Sequence, residues 1–179
     1  MNVTDGPRVE TSKCWLIAGL GLALDQLTKS AIAGWLHHGD SIAVTSFFNL
    51  VHVMNPGGAF SLLADRAGWQ RWFFSAIALI ASAILTLLIC RAPRPEYAVA
   101  YAMILAGTLG NLVDRLVRGA VVDWLDFHWG PVHWLAFNAA DGSITIGAAW
   151  LVIAGRRSSA TEPKAAEDGR ACSPSHRHN

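Results

Sequence analysis

The chain has 179 residues, of which 53% are hydrophobic and 15% are charged, and its formal net charge is +1. Soluble domains carry about 25% charged residues, so the composition, with its mean hydropathy of +0.33, favours a membrane protein with several spans over a soluble domain. A net charge so close to zero gives no strongly basic field, which argues against nucleic acid as a partner.

Four apolar segments follow one another along the chain, and each has about the length that crosses a bilayer as a helix. They are residues 14–35, 72–90, 97–113 and 137–155. The first contains Asp25 and Lys29 and is not preceded by a small-residue cleavage site, so we expect it to be retained rather than removed as a signal sequence. The fourth can span if Asp141 lies near one of its ends.

Basic residues flank the four segments unequally. One side has Arg8, Lys13, Arg91, Arg94, Arg156, Arg157 and Lys164, and the loops of the other side have Arg66, Arg71 and Arg118. Because cytoplasmic segments carry the excess of lysine and arginine, we expect both termini in the cytoplasm. All three cysteines then fall where thiols stay reduced, and no disulfide is predicted.

The chain shows no internal repeat and no Gly/Ser-rich linker, which indicates a single domain. We place this membrane domain at residues 13–156, between a cytoplasmic segment at 1–12 and a polar tail at 157–179 whose composition is typical of disorder.

The outer loop between the first two spans is rich in β-branched and aromatic residues over 41–55, SIAVTSFFNLVHVMN, and an Asn-Pro-Gly-Gly turn signal follows it. We therefore expect short strands at the outer membrane surface. The predicted fold is an all-α polytopic membrane protein with four transmembrane helices and a small β-rich extracytoplasmic cradle.

Aromatic and histidine residues are frequent on the outer side. Trp124, Trp129 and Trp134 precede the last span, which is typical of an interfacial belt rather than a ligand cage. A zinc site built from imidazoles alone is conceivable, but no HExxH or CxxC spacing is present, so we expect interfacial or solvated histidines and no metal. The histidines concerned are His37, His38, His52, His128 and His133.

Charged residues inside spans are costly and by default indicate function. Asp25 and Lys29 are four residues apart and can pair on one helix face, while the lysine can also extend toward the outer headgroups. A structural and a functional role stay equally open for this pair. Asp114 and Arg115 are adjacent and cannot face each other, so each needs another partner, in a network that Asn111 can join.

Asp123 and Asp141 have no cation beside them in the sequence. If the outer segment folds back, both come to the same depth below the outer surface, where two carboxylates share one proton. Aspartic proteases activate water with such a pair. Spacing alone does not single these two out, and Asp126 competes, although its place in the sequence DFHW suggests an exposed interfacial acid.

Several motifs, in order over about residues 15–151, resemble the lipoprotein signal peptidase (signal peptidase II) family. They are DQLTK at 25–29, NPGGAFS at 55–61, GNLVDR at 110–115, VVDW at 121–124 and FNAADGSI at 137–144. The departures are Gly58 for alanine, Trp124 for phenylalanine, Leu135 for a proline and Gly142 for serine. None of them removes a catalytic position.

The resemblance implies an aspartic endopeptidase of the bacterial inner membrane, with its active site near the outer face. Its substrate would be a diacylglyceryl-modified prolipoprotein, cleaved just before the lipidated cysteine, and Asp123 and Asp141 would form the catalytic dyad. It implies no cofactor and no metal, and we expect a monomer whose partners are the substrate and membrane lipids. Residues expected to bind substrate or support the dyad are Asn55, Gly57, Asn111, Asp114, Arg115, Asn138, Asp25 and Lys29.

Within that set, we expect Arg115 to fix the substrate carbonyl or the outer loop, and Asp114 to hold Arg115 or neighbouring backbone. A rival hypothesis is a proton-coupled carrier that uses Asp25, Lys29, Asp114 and Asp141 as a relay. A relay should distribute its acids through the membrane, whereas most of these are predicted near the outer face. Serine and metal intramembrane proteases are disfavoured, because no Ser/His pair or HExxH motif falls within a span.

Overall fold

A computed structural model of the protein describes residues 10–57 and 68–161, with side chains up to residue 157. Four helices and four strands are formed in these parts of the chain. They are α1 (Thr11–Trp35), β1 (Ser41–Thr45), β2 (Phe48–Asn55), α2 (Trp69–Cys90), α3 (Pro95–Val117), β3 (Val121–Trp129), β4 (Val132–His133) and α4 (Ala139–Thr161). The strands predicted within residues 41–55 are confirmed. Most of the terminal segments, and the Gly58–Ser61 part of the second motif, lie outside the described residues.

Three of the four helices are long and apolar enough to cross a membrane, namely α1, α2 and α3. The helix α4 has 23 residues but is not among them, since it begins with the polar sequence AADGS and ends with RRSSAT. The mostly helical membrane fold with a small sheet is therefore confirmed, and the fourth span stays a prediction.

The helix α3 lies at the centre of the bundle and packs against α1, α2 and α4. Small residues permit this close packing. A Cβ on Gly107 would collide with the backbone carbonyl of Ala140, and one on Gly110 would collide with the Asp25 carboxylate. These contacts bring the first turn of α4 against the middle of α3.

The four strands form an antiparallel sheet in the order β1-β2-β3-β4. Val53 on β2 lies opposite Asp123 on β3, and Gly119, at a φ of 86°, turns the chain from α3 into β3. After β4 the chain returns along β3, where Phe137 N donates to Leu125 O at 3.0 Å and Leu125 N donates to Phe137 O at 2.9 Å. This return places the start of α4 beside Asp123.

Candidate active site

Asp123 lies on β3, where it is 2% exposed, and each oxygen of its carboxylate accepts a hydrogen bond from an asparagine. Asn138 Nδ2 donates to Oδ1 at 2.6 Å, and Asn55 Nδ2 donates to Oδ2 at 2.9 Å. The two donors come from the end of β2 and from the residue before α4, so three parts of the chain meet at this carboxylate.

Asp141 lies in the first turn of α4, and both of its carboxylate oxygens also accept N–H groups. Asn111 Nδ2 donates to Oδ1 at 2.8 Å, and the backbone N–H of Asn138 donates to Oδ2 at 3.2 Å. In return, Asp141 N donates to Asn138 Oδ1 at 3.0 Å. This reciprocal pair is a capping box at the helix N-terminus, where the helix dipole also favours a negative charge.

Each of the three asparagines is oriented by a donor to its side-chain oxygen. Gly57 N donates to Asn55 Oδ1 at 2.9 Å, Lys29 Nζ donates to Asn111 Oδ1 at 2.9 Å, and Asp141 N performs this role for Asn138. With the oxygen occupied, each side chain can only present its NH₂ group to the carboxylates. The site is thus a pair of acids surrounded by fixed amide donors.

Burial raises the pKa of Asp123 from 3.8 to about 6. The hydrogen bond from Asn55 opposes this rise, the negative charge of Asp141 adds to it, and the hydrogen bond from Asn138 opposes it again. Desolvation therefore outweighs the amide donors, so a proton on Asp123 is accessible near neutral pH.

A second group of buried charges lies next to the dyad. Lys29 is 0% exposed, and its Nζ lies 2.9 Å from Asp25 Oδ2 and 3.0 Å from Asp114 Oδ2. The pairing predicted for Asp25 and Lys29 is confirmed, but the extension of the lysine toward headgroups is wrong, because α3 supplies Asp114 and Asn111 as partners in the interior.

Asp114 does not hold Arg115, contrary to one of the two expectations. It pairs instead with Arg118, and it accepts the backbone N–H of Val122 at 3.1 Å, which confirms the other expectation. Arg118 was missed as part of the network, although its spacing of four residues from Asp114 on one helix was a usable signal. Gln26, which donates to Asp114 Oδ1 at 3.3 Å, was missed as well.

Arg115 lies between the dyad and α2. Its Nη1 donates to Asn111 O at 3.2 Å, and its guanidinium carbon lies 5.5 Å from the centre of the Phe74 ring. Its Nε is buried and has no hydrogen-bond partner within the described residues. The same Phe74 ring covers Gly57, whose φ is 100°, so Phe74 joins the outer loop to Arg115.

Two expectations for outer polar residues are wrong. Asp126 is buried rather than exposed, because Asn49 Nδ2 and His133 Nδ1 each lie 2.9 Å from its Oδ2. His52 is also buried, with Nδ1 at 2.8 Å from Leu36 O.

Trp129 and Trp134 are 87% and 74% exposed. No group of three metal-binding side chains occurs in residues 10–57 and 68–161.

The fold and this site together define a membrane protein that brings two carboxylates together, the buried Asp123 and the partly buried Asp141, where its helices meet a small sheet. A family model described as signal peptidase (SPase) II matches residues 17–156, and the chain therefore belongs to the signal peptidase II family. Membership makes it a bacterial membrane protease and removes the support for the carrier hypothesis.

Named relatives agree with this assignment. The chain is 51% identical over 151 residues to the lipoprotein signal peptidase of Aeromonas hydrophila subsp. hydrophila, and the alignment covers 80% of this chain and 89% of that protein. It is 46% identical over 144 residues to the lipoprotein signal peptidase of Tolumonas auensis, covering 79% and 87% of the two chains.

Two solved structures of bacterial membrane enzymes, determined by the in meso method, share the fold. The first has a TM-score of 0.76 at 31% identity and covers 89% of this chain and 98% of its own. The second has a TM-score of 0.72 at 32% identity and covers 82% and 94%.

Proposed function

We propose that this protein removes the signal peptide from diacylglyceryl-modified prolipoproteins, cleaving just before the lipidated cysteine, with water activated between Asp123 and Asp141. The observation that carries this proposal is the Asn138 bridge. This residue donates to Asp123 through its side chain and to Asp141 through its backbone, so the two acids are held at one place.

The chemistry needs one ionised and one protonated carboxylate. The ionised one takes a proton from water while the water oxygen bonds to the scissile carbonyl carbon, and the protonated one gives its proton to the carbonyl oxygen. When the tetrahedral intermediate collapses, the first acid protonates the leaving amine as the C–N bond breaks. The second acid recovers a proton from a hydroxyl of the intermediate, so the pair again holds one proton.

The surrounding residues suit an extended substrate backbone. Arg115 is held next to the dyad by its Nη1, which donates to Asn111 O at 3.2 Å, and its guanidinium group is a donor suited to a peptide carbonyl. Gly57 allows the outer loop to approach the cleft closely, since a side chain there would collide with Phe74. We assign Arg115 and Gly57 to substrate positioning and Asn55 and Asn111 to orientation of the acids.

The location of the site favours a substrate that is itself anchored in the membrane. Asp141 lies in the first turn of α4 and Asn111 lies near the end of α3, so the acids lie where the helix bundle meets the sheet. A lipid-modified cysteine could keep its acyl chains in the bilayer here while the preceding peptide bond reaches the dyad. This assignment includes four spans, cytoplasmic termini and a site near the outer face.

The test is cleavage of a purified diacylglyceryl-modified prolipoprotein by the purified protein in detergent. We expect Asp123→Asn and Asp141→Asn to be inactive while their melting transitions show that they are folded. Asp126→Asn is the matched control, because Asp126 is a buried aspartate three residues along the same strand and should cleave. Normal cleavage by either dyad variant would refute the proposed mechanism, and cleavage at another bond would refute the substrate assignment.

A further inference from the structure

The ring of Phe74 contacts two residues that the proposed function assigns to substrate positioning. The guanidinium carbon of Arg115, on α3, lies over the ring at 5.5 Å from its centre. The backbone of Gly57, just after β2, lies against the same ring, because a Cβ there would come within 2.5 Å of Cδ2 and 2.7 Å of Cε2. Since Phe74 is a residue of α2, one half-buried ring joins three parts of the chain.

The contact with Gly57 leads to one of the two acids. Gly57 N donates to Asn55 Oδ1 at 2.9 Å, and Asn55 Nδ2 donates to Asp123 Oδ2 at 2.9 Å. The amide of Asn55 can present its NH₂ group to the carboxylate only while the loop holds its oxygen. Phe74 supports the loop at the residue that supplies this N–H.

The contact with Arg115 leads to the other acid. Arg115 Nη1 donates to the backbone oxygen of Asn111 at 3.2 Å, and the side chain of the same asparagine donates to Asp141 Oδ1 at 2.8 Å. The face of an aromatic ring attracts a guanidinium group but, unlike a carboxylate, does not neutralise its charge. The ring therefore holds Arg115 beside the dyad and leaves its positive charge for a peptide carbonyl.

The start of α2 is itself fixed against the end of α3. Arg71 precedes Phe74 by three residues, which places both side chains on the same face of α2. Arg71 Nη2 donates to Leu116 O at 2.6 Å, and Leu116 is the residue after Arg115. This bond keeps the Phe74 ring at the level of the guanidinium group.

We infer that Phe74 is a positioning residue of the proposed peptidase, whose ring face holds Arg115 and whose side supports the Gly57 backbone. Through these two residues α2 takes part in arranging the site. This inference rests on the proposed function and adds to it a residue that contacts neither acid.

Phenylalanines that carry one, two or three ring fluorines, incorporated in place of Phe74, test the contact with Arg115. Such rings keep nearly the same size while their faces become less negative, so their attraction for a cation weakens stepwise. We expect kcat/KM for the diacylglyceryl-modified prolipoprotein to fall stepwise, reaching about a tenfold loss with three fluorines. Melting transitions in detergent show that each variant is folded.

Phe73 is the matched control, because it is the neighbouring phenylalanine of α2 and packs against two other rings, those of Trp69 and Phe74. The same fluorinated series in place of Phe73 should leave kcat/KM at the wild-type value.

Phe74→Leu tests the contact with Gly57. It removes both the ring face and the support of the loop, so we expect a larger loss of kcat/KM than with three fluorines, which keep the shape of the ring. Equal losses in these two folded variants would overturn the role assigned to the contact with Gly57.

Two results would overturn the inference as a whole. One is a wild-type kcat/KM throughout the folded fluorinated series at Phe74. The other is an equal decline with fluorination at Phe73 and at Phe74, which a general packing role of the aromatic residues predicts. Neither result touches the proposed function, which depends on the inactivity of folded Asp123→Asn and Asp141→Asn.

Discussion

Asn138 donates a hydrogen bond from Nδ2 to Asp123 Oδ1 at 2.6 Å and, through its oxygen, caps the helix that begins with the next residue. One side chain thus connects the sheet to α4. The same group sets the separation of the two acids and the stability of the helix terminus, and substitutions can separate these two contributions.

Asn138→Ser should keep the cap and lose the bond to Asp123, because a serine oxygen accepts from the third residue of a helix but does not extend as far as an amide. Asn138→Ala should lose both. We expect the alanine variant to be about 1 kcal/mol less stable than the serine variant, and both to lose roughly tenfold to a hundredfold in kcat. Thermal unfolding and cleavage rates measure this. Full activity of the serine variant would show that the bond to Asp123 is dispensable.

The raised pKa of Asp123 predicts a pH dependence of stability. A carboxyl whose pKa in the folded protein is about 6, against 3.8 ordinarily, is a destabilising charge above pH 6 and is harmless below about pH 4. The free energy of unfolding of wild type, minus that of Asp123→Asn, should therefore fall by about 3 kcal/mol as pH rises between these values.

The Asp123→Asn variant also differs in stability from wild type by an amount that does not depend on pH, because its own NH₂ group faces one of the two asparagine donors. This constant does not change the slope of the stability difference against pH. Melting of both proteins in detergent at intervals between pH 4 and pH 7 gives the comparison. Parallel curves would mean that Asp123 titrates in the folded protein as it does in the unfolded chain.

The sequence predicted the spans and the local pairs better than the sheet. Hydropathy located α1, α2 and α3, and a spacing of four residues found the Asp25–Lys29 pair. The strand β3 was not predicted, because VVDWLDFHW mixes aromatic and acidic residues on both faces and is ordered by pairing with β2. Such pairing joins residues that are distant in the sequence, as in Asn49 with Asp126, which are 77 positions apart.

The orientation of buried polar side chains was hard to predict for the same reason, since it depends on partners that are distant in the sequence. The motifs brought Asp123, Asp141, Asn138 and Asn111 together, and the structure places them in contact. The side chain of Lys29 extends into the bundle because α3 supplies Asp114 and Asn111 as its partners. Residue spacing along α1 alone does not reveal partners on another helix. The pairing of Arg118 with Asp114 could have been predicted, since Arg118 lies four residues after Asp114 on one helix.

Asp126 should be important for stability and not for chemistry. Its carboxylate bonds Asn49 and His133 in a buried part of the sheet, so Asp126→Ala leaves the Asn49 amide without its partner. We expect a loss of about 1–3 kcal/mol in the free energy of unfolding, with kcat of the folded protein retained. Since the two residues interact, Asn49→Ala/Asp126→Ala should be more stable than the sum of the single losses predicts. A large fall in kcat without loss of stability would contradict this assignment.

Gly57 and Gly119 provide a matched pair for testing the outer loop. Both have positive φ, at 100° and 86°, but a Cβ on Gly57 would lie 2.5 Å from the Phe74 ring, whereas one on Gly119 would meet only Arg71 Nη1 at 3.9 Å. Gly119→Ala should therefore cost only backbone strain, about 1–3 kcal/mol. Gly57→Ala adds the collision with Phe74 and displaces Asn55, whose oxygen is held by Gly57 N. We therefore expect kcat/KM to fall at least tenfold more in Gly57→Ala than in Gly119→Ala, which is roughly the value of one hydrogen bond to a charged group. Melting temperatures and cleavage rates of the two variants decide the matter, and equal losses in both would show that the loop does not position Asn55 at Asp123.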